Sequence, residues 1–419
     1  MKTSAERILT THTGSIARPD DLIELMRAKE NGRPYDASAF EARVARAVGD
    51  CVRGQVEAGL DVINDGEQRK SGFNTYLTER IGGFEVLPPA QSSPATSTWP
   101  EVREFPEYYE RYFKTAMFGA MLSPPRQLVC RGPVTYIGHD ALQTDIANLK
   151  AALAGQEYTE AFMSAALPAG LAEQRNEYYG SRDEFLTALA DAVHEEYRAI
   201  IDSGFIIQLD DPAAARLWGH QDAEPGERAK RAGETVELIN YTLRDIPAEK
   251  VRYHTCYGIN QGPHVHDLHL RDFIGPMLKV NAQAFSFEVM NQRHLHDYHA
   301  FEDVKLPDGK VIIPGMLSNG ANWVEHPDLI AELTVRYAEL VGRENVMIGN
   351  DCGFASQAAS REIDPAVGWA KFAALSEGAA VATSRLWRAP RSSRPVAGPA
   401  QLDRLDSVVD VEKGADEQA

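Results

Sequence analysis

The chain has 419 residues, and its 61 aspartates and glutamates outnumber its 43 lysines and arginines, giving a formal charge of −18. This length predicts one large α/β barrel or two ordinary domains, and the negative charge argues against a protein that binds nucleic acid or an anionic membrane. Four cysteines are too few for a disulfide scaffold, so we expect free or metal-bound thiols in a reducing cytoplasm.

Eight short apolar runs, each ending in polar or glycine-containing residues, predict the strands of a buried parallel sheet. In chain order they are 8–12, 60–65, 127–132, 205–210, 251–256, 284–289, 310–315 and 346–351. Helical periodicity follows most of them, as at 41–58, 182–203, 227–245 and 327–342. Such alternation predicts a (β/α)8 TIM barrel; a doubly wound open sheet is the competitor, but no glycine-rich fingerprint follows the first strand.

Two regions fall outside this alternation. Residues 85–126 are rich in proline, serine, threonine and aromatic residues, and they predict an insertion over one barrel mouth. Residues 391–419 have the composition of a polar C-terminal tail. We therefore expect one barrel domain over residues 1–390, with the insertion at its mouth, followed by the tail.

Four candidate metal ligands lie at the carboxyl ends of predicted strands. His254 and Cys256 are two residues apart at the end of one strand, so their side chains point to the same face. Glu288 ends the next strand, and Cys352 follows the last one. Barrel enzymes place their sites at this edge, and nitrogen, sulfur and carboxylate ligands suit zinc.

The ligand types favour a catalytic zinc over a structural one. The four ligands are dispersed along the chain, and one is a carboxylate that a substrate can displace. Two thiolates and a carboxylate make zinc a poor Lewis acid for hydrolysis but keep a bound substrate thiolate nucleophilic, which predicts thiol alkylation. The alternative is that the HxC pair arises by chance and that its cysteine is a small core residue, as we expect for Cys51 and Cys130.

Several motifs resemble one known family. HTCYG (254–258), the strand-end Glu288 and NDCGF (350–354) are similar to the zinc-site segments of the cobalamin-independent methionine synthase superfamily. The resemblance continues, in the same order, through THTGSIARP (11–19), DGEQR (65–69) and QLDDPA (208–213). It covers roughly residues 8–385 and implies a barrel that transfers methyl from a methylfolate to zinc-bound homocysteine.

The resemblance also implies roles for individual residues. Zinc would be held by His254, Cys256, Glu288 and Cys352. Ser15, Glu67 and Asp210 occupy positions that hold the amino-acid part of homocysteine, and Asp210 is also a candidate catalytic group. Gly14, Ser15, Asp210 and Asp211 could equally serve only as strand-end turn and helix-cap residues.

The sequence departs from the family pattern in length and in several motifs. Full-length members carry two barrels, whereas this chain has room for the zinc-bearing one. Asp211 stands where the family has glutamate, and MLSNGANWVEHPDL (316–329) replaces a segment whose histidine is thought to protonate the leaving group. These features resemble the short, methionine synthase II-like members, which are related to epoxyalkane:coenzyme M transferases. The alkyl donor therefore stays open among methylfolate, a methylcorrinoid and an epoxide.

Six of the 12 histidines lie in two segments of identical spacing, HVHDLH (264–269) and HLHDYH (294–299). Both follow predicted strands, so we expect one or two of these histidines to bind substrate or to act as general acid. His296 leads as the acid, with His294 second, and His264 is a candidate for substrate binding. A second metal site and simple capping or exposure in loops are the alternatives. Trp323 is a further candidate for substrate binding at the barrel mouth, and the alternative is that it packs against the insertion.

The leading hypothesis is a zinc-dependent thiol alkyltransferase acting on a small-molecule thiol, with methyl transfer to homocysteine, which forms methionine, as the default. A zinc-dependent transferase or lyase that uses an epoxide or another alkyl donor is the first alternative. A non-catalytic zinc-binding barrel is the second. The sequence predicts neither the oligomeric state nor the identity of the donor.

Overall fold

The structure is a computed structural model of the chain. It describes residues 1–387 with the exception of residues 74, 88–99, 117–119, 124–126, 213, 215–224, 259 and 260. The predicted tail at 391–419 and part of the predicted insertion therefore lie outside the described residues.

Eight parallel strands surround the centre of the molecule. With all strands numbered along the chain, they are β1 (Leu9–Thr10), β2 (Val62–Ile63), β5 (Glu160–Ala166), β7 (Ile206–Asp210), β8 (Val251–Thr255), β9 (Ala284–Phe287), β10 (Val311–Pro314) and β11 (Met347–Ile348). Six of them pair in the order β10-β9-β8-β7-β5-β2, and β1 pairs with β11. Parallel bridges Thr11–Val62 and Ile312–Val346 join these two sheets on both sides. The strands thus close into the predicted (β/α)8 barrel.

Helices follow most barrel strands and form the outer layer. The described part of the chain holds α1 (Asp20–Glu30), α2 (Ala37–Glu57), α3 (Leu77–Arg80), α4 (Pro100–Glu104), α5 (Pro106–Thr115), α6 (His139–Leu153), α7 (Ala169–Ala172), α8 (Arg182–Asp202), α9 (Pro225–Thr242), α10 (Leu270–Met277), α11 (Ala300–Asp303), α12 (Pro327–Val341) and α13 (Pro365–Leu386). Side-chain oxygens of Asp36 and Ser181 cap α2 and α8 by accepting from Ala39 and Glu184 backbone N–H groups. None of these helices is both long and apolar enough to cross a membrane.

The prediction of the third barrel strand is wrong. Residues 127–132 fall in β4 (Leu128–Tyr136), which belongs to a separate sheet with β3 (Ile81–Val86) and β6 (Arg175–Asn176). The third barrel position is taken by β5, between β2 and β7. The sequence of β5, EAFMSAA, lacks β-branched residues and favours a helix by propensity, but its burial between two parallel strands decides its conformation.

The barrel interior is filled by its own apolar cluster. Its members come from seven different barrel strands: Leu9, Val62, Phe162, Ile206, Ala284, Val311, Ile313 and Met347. Above them the fully buried Arg252 lies over the Phe162 ring, and its guanidinium donates to Thr11 Oγ1 at 2.9 Å and to the His12 carbonyl at 3.1 Å. The barrel is therefore a packed core, so any site must lie at its rim.

Helix α5 lies at the edge where the barrel strands end. The Tyr108 hydroxyl donates to the carbonyl of Gln261, in the loop after β8, at 2.7 Å. The Tyr112 hydroxyl donates to Glu362, in the segment after β11, at 3.2 Å. The α5 helix, from the predicted insertion, thus covers part of the carboxyl edge, while the boundaries of barrel, insertion and tail stay predictions.

Candidate metal centre

Two distant segments bring an imidazole and two thiols together at the carboxyl edge. His254 and Cys256 lie at the end of β8, and Cys352 follows β11. One side-chain donor atom from each lies within 4.8 Å of the others, and the two sulfurs are 3.2 Å apart. All three side chains are buried. Three of the four predicted metal ligands are therefore adjacent.

The His254 ring is held so that one nitrogen remains available. Its Nδ1 lies 3.2 Å from Ser286 Oγ on the neighbouring strand β9, whereas its buried Nε2 has no hydrogen-bond partner in the described part of the chain. Burial, reinforced by the charge of Arg252, lowers the pKa of His254 to about 3, so the ring is neutral. A neutral imidazole beside two thiols is the donor set of zinc, and the residues present fit such an ion.

The two thiols are hydrogen-bonded to each other. Cys256 donates to Cys352, and this hydrogen bond, together with burial, raises the pKa of Cys256 well above its usual value. The negative charge of Glu288 acts in the same direction. A bound cation has to displace these protons, so metal affinity should rise with pH.

Glu288 lies beside the cluster but is not part of it. Its Oε2 accepts a hydrogen bond from the Tyr257 backbone N–H at 3.0 Å, and its Oε1 accepts from Asn291 Nδ2 at 3.1 Å. The carboxylate is buried, and burial raises its pKa. Its role as the fourth ligand stays a prediction, since both oxygens have partners within the protein.

A buried polar cluster, called the acidic pocket below, surrounds Gly14 and Glu67. Gly14 has a φ of +139°, and a Cβ at this position would lie 2.6 Å from Ser164 Oγ and 2.7 Å from Glu67 Oε1. Glu67 itself has a φ of +55°, in the left-handed region. Arg18 holds this strained turn by donating to the carbonyls of Glu67 and Lys70 at 2.8 and 3.0 Å. Strain at a buried carboxylate is typical of a functional site.

Several buried polar atoms of this pocket have no hydrogen-bond partner within the described ranges. They are Asn64 Nδ2, Glu67 Oε2, Ser164 Oγ and Gln208 Oε1. Gln208 donates through its other amide atom to Asp210 at 2.8 Å. Burial, followed by the nearby charge of Glu67, raises the pKa of Asp210 well above its usual value. Lys70 already brings one ammonium to this cluster, since its Nζ donates to the Ser164 carbonyl at 2.6 Å and its charge acts against the rise in the Asp210 pKa. The unpartnered atoms offer further hydrogen-bond partners to a polar ligand.

Ser15 connects the acidic pocket with the segment that follows Cys352. A Cβ at Gly353 would lie 3.1 Å from the Ser15 Cβ, and the Phe354 backbone N–H donates to the Ser15 carbonyl at 3.0 Å. Ser15 therefore contacts the segment that follows Cys352 and directly follows Gly14 of the acidic pocket. Asp211, just after β7, accepts a hydrogen bond from the Tyr253 hydroxyl of the neighbouring strand β8 at 2.7 Å. This contact favours a positioning role for Asp211.

The two histidine-rich segments interlock. His294 donates from Nδ1 to Asp297 at 2.8 Å and from Nε2 to Asp267 at 3.0 Å, and Asp267 also binds His264 Nδ1 at 2.6 Å. Burial lowers the pKa of His294, but these hydrogen bonds outweigh it and raise the pKa to about 9. The resulting imidazolium stacks on the Tyr257 ring with centroids 4.0 Å apart.

The remaining predicted site residues lie nearer to solvent. The His296 side chain is 54% exposed, and its ring packs against His269 with centroids 5.3 Å apart. Trp323, in the loop after β10, is 58% exposed. The structure therefore places His294, rather than His296, against the residue that follows Cys256.

Three residues of the acidic pocket are not among the predicted site residues. Asn64 directly precedes the DGEQR motif, and Gln208 opens QLDDPA, so motif adjacency was an available signal for both. Ser164 lies in β5, the strand that the sequence did not reveal. Its place in the pocket could not be predicted without that strand.

The fold and the cluster define a (β/α)8-barrel protein with a candidate imidazole–thiol metal centre at the carboxyl edge of its strands. Residues 169–374 match the family model of the cobalamin-independent synthase catalytic domain. The chain is 26% identical to methionine synthase of Saccharolobus islandicus (strain Y.N.15.51) over 386 residues, which cover 90% of this chain and 96% of that one. It is 28% identical to methionine synthase of Sulfolobus acidocaldarius over 346 residues, covering 82% and 85%. The chain is therefore similar to the cobalamin-independent synthase catalytic domain over residues 169–374 and to methionine synthases over most of its length.

Solved structures agree in fold. The B12-independent methionine synthase from Shewanella sp. W3-18-1, solved in complex with selenomethionine, superposes with a TM-score of 0.64 at 17% identity and covers 91% of this chain and 99% of that one. A putative B12-independent methionine synthase from Listeria monocytogenes gives a TM-score of 0.62 at 20% identity, covering 91% and 100%. The relatives therefore have about the same extent as this chain.

Proposed function

We propose that the protein is a zinc-dependent methyltransferase whose acceptor is a thiol amino acid of the homocysteine type. The observation that carries the proposal is the buried cluster of His254, Cys256 and Cys352 together with the acidic pocket of Glu67 and Asp210. The names of the relatives, which are methionine synthases, support the same reaction class.

His254, Cys256 and Cys352 would hold the ion, with Glu288 as a fourth ligand that the substrate thiol replaces. Zinc in this donor set would keep the substrate sulfur as a nucleophilic thiolate at neutral pH. Ser286 fixes the His254 ring in the orientation that presents Nε2. Tyr257 positions Glu288 through its backbone N–H, which leaves the carboxylate close to the thiols.

The acidic pocket favours a thiol that carries an ammonium group. Glu67 and Asp210 place two carboxylates in one poorly solvated pocket, where a primary ammonium would lower the electrostatic cost of both. A sulfonate such as that of coenzyme M would meet the same carboxylates with repulsion. Ser15, which follows Gly14 and contacts the segment after Cys352, would align the chain of the substrate with its sulfur at the ion.

His294 would provide the positive charge and the proton supply at this edge. It is protonated at neutral pH, it is fixed by two carboxylates, and it stacks on Tyr257 next to Cys256. Asp210 would orient the substrate during methyl transfer. The methyl donor is methylfolate or a methylcorrinoid, and the proposal does not depend on which of the two is used.

The test combines metal analysis with a thiol screen. Purified protein should contain about one zinc per chain, and zinc X-ray absorption should gain a sulfur ligand with homocysteine but not with coenzyme M. Methionine should form when methyltetrahydrofolate or methylcobalamin is added. Full activity of metal-free protein would overturn the proposal. A new sulfur ligand with coenzyme M alone would instead favour the epoxide-type transferase, and no change with either thiol would favour a non-catalytic zinc barrel.

A further inference from the structure

The interlocked histidine segments contain a second group of potential metal ligands, separate from the thiol cluster. His269, His296 and Asp297 each offer one donor atom, and the three atoms lie within 4.8 Å of one another. The proposed methyl transfer uses neither His269 nor His296, and Asp297 enters it only by holding His294. The group therefore needs an explanation of its own.

The donor atoms already have spacings close to those of a metal site. His269 Nδ1 lies 3.3 Å from Asp297 Oδ1, and His296 Nε2 lies 3.9 Å from the same oxygen. Ligands bound tetrahedrally to an ion at about 2.0–2.1 Å lie about 3.3 Å from one another. The first spacing matches this value, and a small rotation of the exposed His296 ring would bring the second to it.

One candidate ligand, Asp297, is fixed through its side chain, and a second, His269, is fixed through its backbone. Asp297 Oδ2 accepts from His294 Nδ1 at 2.8 Å and from the Leu270 backbone N–H at 3.2 Å, which directs Oδ1 towards the two other imidazoles. His269 stands at the start of α10, where its backbone N–H donates to Asp272 Oδ2 at 3.2 Å. Outer hydrogen bonds of this kind orient the ligands of known metal sites.

The exposure of the group suits exchange with solution. The Asp297 side chain is 4% exposed, that of His269 is 34% exposed and that of His296 is 54% exposed. An ion can therefore enter from the His296 side, and water can complete its coordination. Two imidazoles and one carboxylate favour Zn²⁺, Ni²⁺ or Co²⁺ over Mg²⁺ or Ca²⁺, which prefer oxygen ligands.

We propose that His269, His296 and Asp297 bind a second divalent transition-metal ion, independently of the thiol centre. Binding would also affect the first centre's surroundings, because Asp297 holds His294 and His294 stacks on Tyr257. This inference goes beyond the proposed methyl transfer and does not require it.

The experiment adds NiCl₂ to the zinc-loaded full-length protein. After unbound metal is removed, wild-type protein should retain one nickel in addition to its zinc, and nickel X-ray absorption should show imidazole and oxygen ligands without sulfur. The double variant His269→Gln/His296→Gln should retain zinc but lose the nickel. The matched control His266→Gln/His299→Gln should retain both, because these histidines pair with Glu104 and Glu302 outside the group.

Three outcomes would overturn the proposal: no retained nickel in the wild-type protein, equal nickel in the double variant, or nickel with sulfur ligands and displaced zinc. Retained zinc and an unchanged circular dichroism spectrum would show that the double variant is folded. If it does not fold, the single variant His296→Gln replaces it, since that side chain is mostly exposed, and it should weaken nickel binding at least about tenfold. Unchanged affinity in that variant would also contradict the proposal.

Discussion

The sulfur atoms of Cys256 and Cys352 lie 3.2 Å apart although 96 residues separate them in the chain. The contact exists because β8 and β11 belong to one closed barrel, whose ring is completed by bridges such as Gly315–Gly349. Gly315 allows the close approach, since a Cβ there would lie 2.7 Å from the backbone nitrogen of Asp351. Barrel closure therefore builds the candidate metal centre.

Replacing either cluster cysteine should remove the metal. Cys256→Ser or Cys352→Ser should lower zinc affinity by more than about 100-fold, because a thiolate ligand is lost. Loss of a hydrogen-bond partner of a ligand costs less, about 10–100-fold. Zinc content after dialysis against a chelator provides the measurement. Cys130→Ser is the matched control and should keep its zinc, since Cys130 is a buried free cysteine of β4, in the separate sheet with β3 and β6. Equal zinc content in all three variants would contradict the assignment.

Removing the Ser286 hydroxyl should weaken metal binding without unfolding the protein. Ser286→Ala leaves His254 free to change its tautomer and ring orientation, so zinc affinity should fall about 10–100-fold. Competition with a chromogenic chelator would measure it. Ser376→Ala is the control: it removes a hydroxyl on α13 that donates to the Ala58 carbonyl and not to a candidate ligand, so this variant should bind zinc like the wild type. A normal affinity in Ser286→Ala would show that the hydroxyl does not orient the ring.

A methyl group at Gly14 should block the acidic pocket. Gly14→Ala would place its Cβ against Ser164 Oγ and Glu67 Oε1, so KM for the thiol amino acid should rise by at least about tenfold while zinc content stays normal. Gly155→Ala is the control, because Gly155 also has a positive φ, +77°, but nothing lies within 4 Å of its Cβ. If KM rises equally in both variants, backbone strain alone explains the rise, and the methyl group does not block the acidic pocket.

Neutralising Glu67 should weaken recognition of the ammonium group. Glu67→Gln keeps the size of the side chain but removes its charge, so the affinity for homocysteine should fall about 10–100-fold, the effect of losing a hydrogen bond to a charged group. Calorimetric titrations of the protein with homocysteine and with 3-mercaptopropionate, which lacks the ammonium, would separate the affinity due to the ammonium from the affinity due to the thiol. The variant should lose the preference for homocysteine, and a retained preference would place the ammonium elsewhere.

The sequence predicts the barrel and the convergence of three candidate metal ligands better than it predicts the acidic pocket. His254, Cys256 and Cys352 stand at strand ends, and parallel strands of a closed barrel must bring their ends to one edge. The place of Ser164 in the acidic pocket could not be predicted, because the alanine-rich sequence of β5 has helical propensity and forms a strand only through its pairing with neighbouring strands. The protonation of His294 also escapes sequence patterns, since it depends on Asp267 from the other histidine segment.

The pH dependence of stability should reveal the His294 imidazolium. The pKa of His294 is about 9 in the folded protein and about 6.5 in the unfolded chain. Its protonation therefore adds fully to the free energy of unfolding below pH 6.5, and this stabilisation is lost as the pH rises through 9. The contribution is on the order of 3 kcal/mol at low pH. Urea unfolding between pH 6 and 10 should therefore show a decline in the wild type and in the surface control His139→Gln that is absent in His294→Gln. Parallel curves for all three proteins would mean that His294 is neutral in the folded state.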